Sequence, residues 1–244
     1  MKQNPVIRFL NFLRAIFVII WVIVSTVTLA ILCVVIRIFG ETPSRVMALL
    51  WFKLIAVFGG VKIKVNGLEK LDPKQQYILV ANHQSYLDIL SLYLALPFKL
   101  AFIAKKSLFA IPFFGWAMRA IGHISIDRSN PKKGKKSIEK AVKTISKTKK
   151  TIFAFPEGTR STTGEVAEFK LGIFTLAMKT DMPMVPIAIQ GAREMLSKKS
   201  FFLKPGTITL TILDPIDIQG FDSTEKTKLA NTIRDEIRKE LGQI

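Results

Sequence analysis

His83 and Asp88 stand five residues apart in the run Asn82-His83-Gln84-Ser85-Tyr86-Leu87-Asp88, and an imidazole held by a carboxylate is a ready general base. On a regular helix, five steps of about 100° would leave the two side chains about 140° apart, on different faces. The pair works only where His83 occupies the turn before a helix and Asp88 its first turn or two. There the carboxylate holds one ring nitrogen and leaves the other free to take a proton, as in an acyl-transfer triad that lacks a protein nucleophile. The spacing has a second reading, in which Ser85 is the N-cap and Asp88, three residues on, completes a capping box. The residues alone leave both open.

Two more segments carry chemistry. Phe155-Pro156-Glu157-Gly158-Thr159-Arg160-Ser161 ends an apolar run in a tight turn. Its backbone N–H groups can face an anion and Arg160 supplies a fork suited to phosphate, although an ordinary turn has the same composition. In Gly122-His123-Ile124-Ser125-Ile126-Asp127-Arg128, strand alternation turns His123, Ser125 and Asp127 one way and Ile124 and Ile126 the other, with Arg128 at the strand's end. His123 reads as structural. Arg128 opens a basic stretch reaching Lys150, with Lys132, Lys133, Lys135 and Lys136, read as a solvated or headgroup-facing surface.

The 36 Lys and Arg against 18 Asp and Glu give a net charge of +18, so anionic partners are expected. Nucleic acid, acidic lipid, a phosphorylated substrate and an acidic carrier protein all fit that charge. A hydrophobic content of 49% favours lipid over nucleic acid. Cys33 is the lone cysteine, which rules out an intrachain disulfide and suits a reducing compartment. Two histidines and one distant thiol make no zinc spacing, and no metal is expected.

These segments need a scaffold. Residues 15–36 contain no charge and are long enough, at about 1.5 Å per residue, to cross a hydrocarbon core of about 30 Å. The run is too long for a signal-peptide core. A second apolar stretch, 46–58, follows a break at 40–44 and is interrupted by Lys53. Either the first segment spans alone, or the two form a hairpin in one leaflet with Arg14, Arg37, Arg45 and Lys53 reaching the headgroups. After Gly59-Gly60, β-like runs alternate with helical patterns, which predicts an α/β fold. The expected strands are 61–65, 77–81, 100–104, 123–127, 151–155, 184–189 and 207–213. The expected helices are 86–96, 113–121, 135–149, 171–179 and 223–241. The predicted organisation is a membrane anchor, 1–60, followed by a single α/β domain, 61–244.

Taken together, the blocks at 82–88, 122–128, 155–161 and 185–189, with Phe169-Lys170-Leu171-Gly172, resemble the ordered motifs of the glycerolipid acyltransferase family, most closely its bacterial 1-acylglycerol-3-phosphate members. The family's His-x4-Asp motif falls on His83 and Asp88. The resemblance covers about 77–190 and implies a mixed, largely parallel sheet flanked by helices. It implies transfer of a fatty acyl group from a thioester to the sn-2 hydroxyl of lysophosphatidic acid, giving phosphatidic acid for phospholipid biosynthesis.

In that reading His83, polarised by Asp88, takes the hydroxyl proton. Arg128, Glu157, Gly158, Thr159 and Arg160 form the phosphate-binding set, Glu157 and Gly158 by shaping the loop. Lys105 is a candidate oxyanion donor, and 185–189 a core strand lining the acyl pocket. No cofactor is expected beyond the co-substrate, an acyl-coenzyme A or acyl carrier protein thioester. The bilayer is the expected partner and nucleic acid is not. The expected location is the cytoplasmic face of a bacterial inner membrane. Other acceptors, such as glycerol 3-phosphate or another lysolipid, and a catalytically silent binder are the rival readings.

Overall fold

The computed structural model describes residues 5–244 except 149, 201, 220, 222 and 223. The charge-free run becomes part of helix α1 (Pro5–Ile36), and the second apolar stretch becomes α2 (Glu41–Gly59). Both are long and apolar enough, by length and composition, to cross a membrane. A short 3₁₀ turn (Arg37–Phe39) and Gly40, whose φ of +109° suits only glycine, reverse the chain between them. The break is thus shorter than 40–44.

The two helices pack as an antiparallel hairpin, because contact partners rise on one as they fall on the other. Trp21 meets Phe58, the Trp51 indole donates to Ser25 Oγ at 3.0 Å, and Ser44 Oγ donates to the Cys33 carbonyl at 3.0 Å. The hairpin also docks on the rest of the chain. Arg45 donates to the carbonyls of Leu100 and Phe98, Arg14 to that of Leu203, and Lys150 meets Glu41 at 2.6 Å. Arg14 and Arg45 are therefore interior ties rather than headgroup anchors, because inward-facing carbonyls need donors. Arg37 and Lys53 are exposed as expected.

The predicted strands appear as β1 (Val61–Asn66), β2 (Ile78–Ala81), β3 (Leu100–Lys105), β4 (Ile124–Ile126), β5 (Thr151–Ala154), β6 (Met184–Gln190) and β7 (Gly206–Ile212). They form one sheet in the order β1-β7-β6-β2-β5-β3-β4. Every pairing is parallel except β6 with β7. The central strands β2, β5 and β6 are apolar on both faces, as strands covered by helices on both sides must be. One face, with Leu79, Phe153 and Ile187, packs under α3 (Leu87–Ala95) and the hairpin. The other, with Ile78, Ile152 and Met184, packs on α5 (Pro131–Ile145), α6 (Gly172–Thr180) and α8 (Lys226–Glu240). Helices α4 (Phe114–Ala120) and α7 (Ala192–Met195) complete the set.

Helix α5 begins at Pro131 rather than 135 because Asn130 caps it, its Oδ1 accepting from the Lys133 amide at 2.8 Å. The expected helix limits at 149 and 223 lie outside the described residues. Strands β2, β3, β4, β5 and β6 run in one direction, so their carboxyl ends share one edge. The blocks at 82–88 and 155–161 follow those ends, and Asp127 and Arg128 of the block at 122–128 follow β4, where open α/β sheets place their sites.

Candidate active site

The loop 155–161 holds His83 by its backbone, and strand β6 holds the residue before it. Asn82, fully buried beside it, exchanges two hydrogen bonds with Ile189 of β6, at 2.9 and 2.8 Å. The His83 amide donates to Glu157 Oε1 at 2.7 Å, and its carbonyl accepts from the Ser161 amide at 2.7 Å. The ring stacks on Phe155, centroids 3.9 Å apart.

Asp88 is 1% exposed and gathers three donors on one oxygen: His83 Nδ1 at 2.8 Å, the Gln84 amide at 2.7 Å and the Ser85 amide at 2.8 Å. The contact that each reading of the spacing requires of Asp88 is present, although Ser85 Oγ accepts from the Leu87 amide at 3.2 Å rather than from that of Asp88, and the helix N-cap is Tyr86. The carboxylate that receives the Ser85 amide, as in a capping box, also fixes the imidazole. An acceptor-only carboxylate requires Nδ1 to donate, which leaves the Nε2 lone pair available, and Nε2 has no hydrogen-bond partner among the described residues.

The anion-binding candidates cluster around Gly158, whose φ is +75°. A Cβ built there would lie 2.9 Å from Lys170 Nζ and 3.1 Å from Arg128 Nη1, so these two cations converge on the loop. Burial pulls the Arg128 guanidinium below its ordinary pKa. Two residues on, the Arg160 guanidinium lies 3.6 Å over the Tyr86 ring. Lys198 holds this stretch from outside, donating to the Arg160 carbonyl at 2.8 Å and to Thr159 Oγ1 at 3.2 Å.

Within the expected phosphate-binding set Glu157 has the loop-shaping place. It is 4% exposed, and its two oxygens accept from the amides of His83 and Ala167, so it braces the loop rather than facing an anion. Burial raises its pKa to about 7. Lys105 ends β3 on the same sheet edge, exposed and without a hydrogen-bond partner among the described residues. His123 is structural: its ring meets the Tyr93 hydroxyl and accepts from the Phe102 amide, and burial, with Arg45 and Lys150 nearby, lowers its pKa to about 3.

Two cavities adjoin the site. One, about 680 Å³, has apolar walls including Ile103, Ile126 and Phe155, with Arg128 and Lys170 among its lining. The other, about 330 Å³, lies between the hairpin and helices α3 and α4, lined by Ala30, Ala48, Trp51, Phe102 and Met118, and reaches Tyr86. Strand β6 lines neither. Residues 185–189 are buried on both faces, and their contribution is the clamp on Asn82.

Sequence reasoning passed over Lys170 and Lys198 as site residues. Lys170 lay in a recognised block, and its amide bond to Pro156 at 3.0 Å ties it to the Gly158 loop. Lys198 had no local signal.

The arrangement defines a class: an α/β site that pairs a carboxylate-held imidazole, its Nε2 without a partner among the described residues, with an adjoining cluster of cations. Residues 62–190 match the acyltransferase family, and the chain belongs to it. The 1-acyl-sn-glycerol-3-phosphate acyltransferase of Saccharomyces cerevisiae is 32% identical over 242 residues, covering 97% of this chain and 79% of that protein. The alpha form from Mus musculus is 32% identical over 72% of this chain and 62% of its own length. The crystal structure of the 1-acyl-sn-glycerophosphate (LPA) acyltransferase PlsC from Thermotoga maritima superposes with a TM-score of 0.79 at 26% identity, covering 97% and 96% of the two chains.

Proposed function

We propose that this chain moves a fatty acyl group from an acyl thioester to the sn-2 hydroxyl of lysophosphatidic acid, giving phosphatidic acid. The observation that carries the reading is the His83 Nδ1 to Asp88 Oδ2 contact of 2.8 Å with Nε2 left free. Nε2 takes the hydroxyl proton as the oxygen attacks the thioester carbonyl, and Asp88 stabilises the imidazolium. The tetrahedral adduct expels the thiolate, which recovers the proton from His83. Lys105 is the proposed donor to the oxyanion.

Arg128 and Arg160, with the Gly158 and Thr159 loop between them, hold the acceptor's phosphate and so set the distance of its hydroxyl from His83. The apolar cavity under the hairpin suits an acyl chain. Residues 1–60 serve as the membrane anchor and 61–244 as the catalytic domain, on the cytoplasmic face of a bacterial inner membrane. The site would then meet its lipid substrate at headgroup depth. Purified protein in vesicles, given acyl thioesters and a panel of acceptors, tests this. Lysophosphatidic acid should be acylated, and His83→Ala should abolish turnover. Full activity in His83→Ala overturns the mechanism, and turnover of a different acceptor alone overturns the substrate.

A further inference from the structure

A second cluster of cations lies away from the Gly158 loop. Beyond the edge strand β4, a groove of about 740 Å³ runs between α5 on one side and α4 with the 3₁₀ turn Lys106–Ala110 on the other. Lys133, Lys136 and Lys140 enter it from one face of α5, while Lys106 and Arg119 enter from the opposite wall. Spacings of three and four residues place the three α5 lysines on one side of that helix, opposite Ile138, Val142 and Ile145, which pack into the core.

Asp127 is the single carboxylate lining the groove, and it pairs with Lys106 at 3.2 Å. Arg119, Lys133, Lys136 and Lys140 have no carboxylate partner among the described residues. Arg119 is propped against the Phe109 ring at 5.7 Å, with one nitrogen donating to the Gly115 carbonyl. Holding four uncompensated cations on facing walls costs repulsion that a bound polyanion would relieve.

We propose that this groove binds the phosphorylated nucleotide end of a coenzyme A thioester, the acyl donor of the reaction argued above, on which this inference rests. Charge agrees. Five cations less one carboxylate leave an excess that matches the roughly four negative charges of a 3′-phosphate and a pyrophosphate together. Shape agrees too, since two walls converging on a concave groove suit a small polyanion, whereas an acidic protein would meet lysines on an open face. Position is the third argument. The sheet order places β4 three strands from β2, roughly 14 Å across, and the carboxyl edge runs from Lys106 and Asp127 past Lys105 to His83. A coenzyme A thioester has that form, with its reactive carbonyl separated from its phosphates by a long pantetheine arm.

The test uses the full chain in detergent with lysophosphatidic acid saturating, and compares an acyl-coenzyme A with the same acyl group on N-acetylcysteamine, which lacks phosphates. The double variant Lys136→Glu/Lys140→Glu should raise the KM for acyl-coenzyme A about tenfold or more and leave the KM of the truncated donor unmoved. Lys136→Arg/Lys140→Arg should stay near the parent. Adenosine 3′,5′-bisphosphate should bind the parent in calorimetry, inhibit it competitively against acyl-coenzyme A, and do neither in the Glu variant. An unchanged acyl-coenzyme A KM, an equal loss with both donors, or a loss confined to an acyl carrier protein donor overturns the proposal. Absent phosphatidic acid formation with the calorimetric difference intact would overturn the reaction and keep the groove.

Discussion

The imidazole of His83 lies flat on the phenyl ring of Phe155, with 9° between the planes. The Asp88 bond fixes one edge of the imidazole and Phe155 fixes its face, so the direction of the Nε2 lone pair is set by both. Phe155 is itself wedged, meeting Phe102 at 70° and Phe153 at 83°. A base that must reach one hydroxyl benefits from such bracing, because a small misplacement of a reacting group costs rate far more than it costs stability.

Phe155→Leu should therefore lower kcat about tenfold while the acceptor KM changes less than about twofold, since the ring can tilt but the cations are untouched. Phe155→Ala should in addition cost about 3–5 kcal/mol of stability through the cavity it leaves. Steady-state kinetics together with thermal melts separate the two effects. An unchanged kcat in Phe155→Leu would show that Asp88 alone orients the ring.

Asp88→Asn distinguishes the two duties of one carboxylate. An amide oxygen can still receive the Gln84 and Ser85 amides, so the helix start survives, but the charge that stabilises an imidazolium is gone. We expect kcat to fall about 10²–10⁴-fold with a stability loss of about 1.5–3 kcal/mol. A purely capping carboxylate would give the stability loss with kcat intact, and that result would remove Asp88 from the chemistry.

How much of this was legible beforehand depends on how local each signal is. The seven strands and the turn placing His83 ahead of α3 follow from short-range pattern, and the structure has them within a residue or two. The antiparallel entry of β7 between β1 and β6 could not be read, because strand order is set by long-range pairing. Glu157 was legible as part of a loop, but its partner, the His83 amide, lies 74 residues away. Lys198 reaches Thr159 across 39 residues, and Arg45 reaches Leu100 across 55. The spacing of a lysine or arginine along the chain says nothing about which distant carbonyl it will satisfy.

Glu157 gives stability a specific pH dependence. Burial raises its pKa from 4.5 to about 7, the Asp88 charge adding to the lift while the His83 and Ala167 amides oppose it. The unfolded chain releases this proton near 4.5 and the folded protein holds it until about 7, so stability is lost as pH rises through that window. The loss has an upper bound of about 3 kcal/mol. Glu157→Gln carries no such proton, so its stability relative to the parent should improve from pH 5 to pH 7.5. Denaturant titrations of both proteins at the two pH values decide it, and a constant difference would mean that Glu157 ionises normally.

Lys198 acts on Arg160 through the backbone rather than on a ligand directly. Removing it in Lys198→Ala frees the Arg160 carbonyl and Thr159 Oγ1, which loosens the backbone that carries the guanidinium over Tyr86. Either Lys198→Ala or Tyr86→Leu should raise the KM for lysophosphatidic acid about two- to fivefold, with kcat little changed, as expected for interactions of about 0.5–1 kcal/mol. Because both side chains support the same arginine, the double variant should cost less than the product of the two single effects. Strict multiplication of the two would show that they act on different parts of the site.

The pair Glu41 and Lys150 ties the hairpin to the sheet, and its cost when broken is a measure of how firmly. Lys150 Nζ lies 2.6 Å from Glu41 Oε1 and donates to the Gly122 carbonyl, while Arg45, 3.7 Å from Glu41, continues the tie to Leu100. Their side chains are 10% and 25% exposed, between the regimes of free surface pairs and fully desolvated ones. Lys150→Met should thus lower stability by about 2 kcal/mol, more than an exposed pair and less than a dry one. Adding Glu41→Gln should restore part of that loss, because the carboxylate left with only the longer Arg45 contact among the described residues carries part of the penalty. Melts in detergent measure both. A double variant as unstable as the single would place the tie in Arg45 and the apolar contacts instead, with the ion pair contributing little.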